Sequence, residues 1–171
     1  MSPRSSIILV DTMVIIEAHR THTWAALSKT LQLETVEACA LETQTGAQNR
    51  RPEQLIDEIA LRASLRQIHS VSELDRAKLL LRDAQAAVLD PGERDLWAHA
   101  LQRPDTWLFC GPDRASYRLA IRLGFRDRLL SLEALCREAG SRPAPPLASH
   151  HTRKGHEAMI TAMAIQEGRW P

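Results

Sequence analysis

Four consecutive apolar residues, Ile7-Ile8-Leu9-Val10, run straight into Asp11-Thr12 near the start of the chain. A run this short, with no polar alternation, fits a strand buried on both faces, as in a parallel sheet covered by helices. The apolar stretch continues to Ile16, but Asp11 interrupts it and its length falls short of the roughly 18 residues of a membrane span. No small-residue cleavage site follows, so it does not read as a secretory signal. A cytoplasmic location with no membrane partner is expected.

Punctuation along the chain predicts strands over 7–10, 32–36 and 106–110, with a last short one over 128–130. Residues 64–71 read as a loop or a short strand. Helices are expected over 14–18, 24–31, 37–43, 52–60, 72–87, 90–101, 113–123, 132–139 and 154–167, with Gly124 stopping the seventh. Residues 45–49 read as a turn. Strands alternating with helices predict an α/β three-layer sandwich, a central and mostly parallel sheet flanked by helices. The expected organisation is one domain over residues 1–140, a proline-rich linker over 141–152 and a terminal helix over 153–171. At 171 residues and 44% hydrophobic content, one core suffices without disulfides. Cys39, Cys110 and Cys136 lack paired spacing and read as free thiols.

Open parallel sheets place their sites beyond the carboxyl ends of the strands. Asp11 follows the first strand, and Asp113 follows the 106–110 strand across Gly111-Pro112. Glu93 opens the helix before that strand, and Glu42 lies on the helix after 32–36. Each acid also has a purely structural explanation. Asp113 and Asp11 are good helix caps. Asp90 and Glu93, with Pro91 between them, are spaced as a capping-box variant. Glu42 fits a solvated face. Asp11 stands apart because it follows four apolar residues, and a charge there needs a partner or a metal.

Taken in order, the four acids resemble the PIN-domain nuclease family. Ile8-Leu9-Val10-Asp11-Thr12-Met13-Val14-Ile15 resembles its opening motif, and Leu41-Glu42 its second acid. Gly92-Glu93-Arg94-Asp95-Leu96-Trp97-Ala98 is similar to its Gly-Glu form of the third acid. Gly111-Pro112-Asp113-Arg114-Ala115, closing at Leu123-Gly124, is similar to its fourth-acid helix. The resemblance covers residues 6–138. It implies Asp11, Glu42, Glu93 and Asp113 as catalytic ligands of Mg²⁺ or Mn²⁺, and Thr12 as a residue that holds a carboxylate or a metal-bound water. It implies a metal-dependent ribonuclease, endo- or exonucleolytic, acting on RNA, in one form the toxin of a toxin–antitoxin pair. An antitoxin, another protein or a second copy is then the partner. Hard divalent ions want oxygen donors, and a bound metal removes the need for a Ser, Cys or His nucleophile. Met13 stands where Asn is common, and Gly111 where Thr is frequent. The alternative is a PIN-fold binding or assembly module with little or no catalysis. Retention of four mutually repelling acids favours the enzyme.

Other signals are weaker. A haloacid-dehalogenase-type phosphatase needs a second Asp two residues after the first, where Met13 stands. Asp95 diverges from Glu93 by about 200° on a helix. His69 and His99 read as surface or packing residues, and His150, His151 and His156 as part of a solvated tail. With net charge +1 and 4% aromatics, bulk attraction to nucleic acid and a base-stacking platform are not expected. Charge is nevertheless uneven, and Arg114, Arg118 and Arg122 recur at helical spacing as a candidate track for RNA phosphates.

Overall fold

The structure is a computed structural model that describes residues 3–45 and 55–169. Its strands are β1 (Ile7–Val10), β2 (Gln32–Val36), β3 (Gln67–His69) and β4 (Trp107–Cys110). They form a four-stranded sheet in the order β3-β2-β1-β4, and every pairing is parallel. Ile8 lies opposite Leu33 on one side and Leu108 on the other, so β1 is central. That position accounts for its uninterrupted apolar sequence, because both faces are covered. Ile7 and Leu9 pack with Val36, Trp97 and Phe109, while Ile8 and Val10 pack with Ile15, Leu27 and Leu33 on the opposite face. Each fully buried aliphatic side chain contributes about 1.5–3 kcal/mol relative to exposure. The expected strand over 128–130 reduces to a single parallel bridge between Phe109 and Leu129.

Helices α1 (Thr12–Arg20), α2 (Trp24–Thr30) and α3 (Glu37–Glu42) follow the first two strands. The helix expected over 52–60 is observed later, as α4 (Glu58–Ser64) capped by Asp57: residues 55–57 are not helical, and residues 52–54 lie outside the described ones, as does most of the 45–49 turn. Next come α5 (Glu73–Arg82) and α6 (Pro91–Gln102). The single helix expected over 72–87 breaks at Asp83, whose extended backbone caps a separate 3₁₀ turn over Ala84–Val88. Helices α7 (Arg114–Arg122), α8 (Leu132–Glu138) and α9 (Arg153–Gln166) complete the fold. Trp97 of α6 stacks on Phe109 of β4 at 4.6 Å, fixing that helix over the sheet. The result is the expected α/β three-layer sandwich. No helix among the described residues is long and apolar enough to cross a membrane.

The proline-rich segment is a strap fastened to α1 rather than a free linker. The Ala144 amide donates to the Thr21 carbonyl, and the Ala148 amide donates to Glu17 Oε1 at 2.6 Å. Arg20 grips Glu17 and the Pro146 carbonyl. Burial alone would raise the Glu17 carboxyl, but the bonds from Arg20 and Ala148 outweigh it and hold the group below its usual value. Helix α9 then joins the main core through Met163 and Ala164. Of the three histidines expected in a solvated tail, His150 is exposed, while His151 and His156 are part of this docking. His151 is buried, and Tyr117 Oη lies 2.6 Å from His156 Nδ1.

Candidate active site

The parallel pairing of β1 and β4 decides where the first and last acids go. Val10 lies opposite Cys110, and the Asp11 amide donates to the Cys110 carbonyl at 3.0 Å. Asp11 and the turn Gly111-Pro112-Asp113 therefore leave the sheet side by side at its carboxyl rim. Asp11 caps α1 through a 3.2 Å bond from the Met13 amide to Oδ2. Asp113 caps α7, and its Ala115 and Ser116 amide bonds, at 2.6 and 3.2 Å, both land on Oδ1. The capping explanation for these two acids holds, and it orients them at the rim.

Glu42, the last residue of α3, is drawn in from the neighbouring element. Thr12 Oγ1 donates to Glu42 Oε2 at 2.7 Å, and the Gly92 amide donates to Oε1 at 2.9 Å. Thr12 thus holds a carboxylate, as expected. A Cβ at position 92 would stand 2.5 Å from Glu42 Oε2, so a side chain here would push the Glu42 carboxylate off its present position. Gly111 has a matching reason: a Cβ would meet Phe109 Cε1 at 2.8 Å and Asp11 Cβ at 2.9 Å. Glu93 follows Gly92 in the first turn of α6. The Asp90 side chain makes no cap bond, so the capping-box explanation of Glu93 is only half met.

Asp11 is 3% exposed and Glu93 7% exposed, and among the described residues no ion pair reaches Asp11, Glu93 or Asp113. Burial, helped by the charges of Glu42 and Asp113, pushes the Asp11 carboxyl up to about 6 against the pull of the Met13 and Thr12 amides. Burial, then the charges of Asp11, Asp113 and Asp90, pushes Glu93 up to about 9. The four acids from four elements therefore share one electrostatic environment. No three of them bring ligand atoms within 4.8 Å of one another, and their donor set is all oxygen, which suits a hard divalent ion that keeps several waters.

A second cluster lies on the α6 side of the sheet. Glu34, His69 and His99 bring three ligand atoms within 4.8 Å of one another, a group that could hold a metal ion. Arg103 Nη1 already stands 2.7 Å from Glu34 Oε2 and 2.9 Å from His99 Nε2, where a cation would sit. His69 Nε2 is 2.8 Å from the same Glu34 oxygen, and the His69 and His99 rings stack at 3.9 Å. Burial and the charges of His69 and Arg103 lower His99 to about 4. Glu34 escaped the sequence reading, although its signal was present. With side chains alternating between faces along the strand, Glu34 shares the face of the apolar Val36 while Leu33 lies on the other, so both faces of this segment carry an apolar residue.

A scan against protein-family models and a search of curated proteins found no match to this chain.

Two further sequence candidates sit apart from the rim chemistry. Arg76 grips both oxygens of Asp95 at 2.6 and 2.7 Å, so Asp95 is a packing anchor between α5 and α6. The arginine stripe of α7 faces its own fold. Arg118 pairs with Glu167 at 2.6 Å, and Arg122 with Asp83 and Glu167. The stripe is the seam on which α9 docks, which corrects its reading as an open phosphate track. Arg114 alone of the three is exposed and outside these pairs.

Proposed function

We propose that this chain is a metal-dependent ribonuclease that hydrolyses RNA phosphodiester bonds at the rim formed by Asp11, Glu42, Glu93 and Asp113. The observation that carries the reading is Asp11 itself: a carboxylate 3% exposed, beside three further acids, with no ion pair among the described residues. Burying such charges is costly unless a cation joins them. The ordered resemblance of the four motifs to PIN-domain nucleases supports the same reading. The toxin of a toxin–antitoxin pair is one form such an enzyme takes.

The residues fit Mg²⁺ or Mn²⁺, which when bound would supply Lewis-acid polarisation of the phosphodiester and activation of water. Thr12 and the Gly92 amide fix both oxygens of Glu42. The start of α7 fixes Asp113. Glu93, pushed up to about 9, holds a proton at neutral pH, so metal uptake should release one.

The test is cleavage of a labelled RNA by purified protein in Mn²⁺. Wild type should cut, while Asp11→Asn and Asp113→Asn should lose at least about a hundredfold in rate with an unchanged circular-dichroism spectrum, the scale on which metal-site losses act. A wild type that cuts no RNA with either ion leaves the PIN-fold binding module as the reading.

A further inference from the structure

Beside the acid rim, α3, α5 and α6 border an open cavity of about 380 Å³ whose lining includes Ala38, Pro91, the guanidinium groups of Arg76 and Arg94, and the carboxylates of Glu73 and Asp95. Its walls continue the rim elements: Ala38 precedes Cys39, whose thiol lies 3.9 Å from Asp11 Oδ1, and Pro91 precedes the Gly92 that binds Glu42. Two guanidinium groups line it, and they differ. Arg76 is neutralised by Asp95 and Glu73. Arg94 follows Glu93 directly, and among the described residues no ion pair reaches it. Its Nε is buried and has no hydrogen-bond partner. A buried donor without an acceptor is costly to keep, and most native ones are satisfied.

We infer that this cavity takes a phosphate group of a nucleic-acid strand, the one next to the bond under attack, and that Arg94 holds it as a positioning residue. The inference rests on the ribonuclease reading. A planar guanidinium matches two phosphate oxygens, and its fixed charge offsets the repulsion a phosphodiester meets beside four acids. Arg94 is well placed for that task because its charge is not spent on the fold.

The experiment follows the Arg94 Nε–Hε signal by nitrogen-15 NMR, titrating in EDTA with a short RNA, with inorganic phosphate, and with chloride at matched ionic strength. RNA and phosphate should shift the signal, and chloride should not. Arg94→Gln should weaken RNA binding about tenfold across sequences and lower the salt slope of affinity by about 1, while Arg94→Lys keeps the slope. Both variants should melt within a degree or two of wild type. RNA bound with the Arg94 signal unmoved, or Arg94→Gln with unchanged affinity and slope, overturns the inference. If wild type cuts RNA while Arg94→Gln binds it normally, the cavity role alone falls. If the signal moves with RNA but Mn²⁺ brings no cleavage, the cavity stands and the nuclease reading falls.

Discussion

Glu34 and Asp11 are buried to nearly the same degree, at 2% and 3% exposure, yet the fold treats them in opposite ways. Glu34 is met by Arg103, just past α6, at 2.7 Å, by His69 of β3 at 2.8 Å and by Arg66, just before β3, at 3.5 Å. Asp11 is met by backbone amides, a thiol and other acids. A buried charge given its counter-charges by the chain itself is part of the architecture. One left with like charges stores free energy that only a ligand can recover, which is how functional sites differ from structural ion pairs.

The contrast breaks most visibly on mutation. Glu34→Ala should cost about 3 kcal/mol in urea unfolding, because it leaves Arg103 and His69 facing a gap. The loss stays at the low end for a broken buried pair, since Arg103 keeps Asp105. Asp11→Asn, measured in EDTA at pH 7, should move stability the other way. Loss of both effects, or a shared sign, would dissolve the distinction between the two regions.

A smaller effect sharpens it. Glu93 is raised from 4.5 to about 9, so between those values the folded state holds a proton that the unfolded state has lost. Metal-free stability should therefore fall as pH rises from 6 to 9, by at most about 1.4 kcal/mol per pH unit. Glu93→Gln should flatten that fall. His99, beside Glu34, has the opposite sign: lowered to about 4, it destabilises as pH drops below about 6.5. A slope that survives Glu93→Gln would place the responsible group elsewhere.

The central strands and the positions of Asp11, Glu93 and Asp113 were legible because each sits at a boundary that leaves a local signature, whereas Glu42, within α3, has none. An apolar run ends at Asp11, a Pro-Gly pair precedes Glu93, and a Gly-Pro pair precedes Asp113. Thr12 was legible for the same reason. The features left open or missed are those whose partners are distant in sequence. β3 is only Gln67-Ile68-His69, so residues 64–71 read equally as loop or short strand until the pairing with β2 decides for the strand. The prolines over 143–146 break local structure, and nothing nearby reveals that Glu17, Arg20 and Thr21 tie the strap down. Arg118 and Arg122 look like an open basic stripe until Glu167 and Asp83 arrive from other elements.

The most direct test of the claim that the rim is a divalent-ion site is a pair of melting curves, in EDTA and in Mn²⁺, for wild type and Asp11→Asn. At a hundred times its dissociation constant Mn²⁺ should add about 2.7 kcal/mol to wild type. For a domain of this size that is roughly 5–10 °C in midpoint. Asp11→Asn should melt higher than wild type in EDTA and lose most of the Mn²⁺ shift. Equal Mn²⁺ shifts in the two proteins would contradict the account, because the ion would then bind away from Asp11 and the residue would be no more than a helix cap.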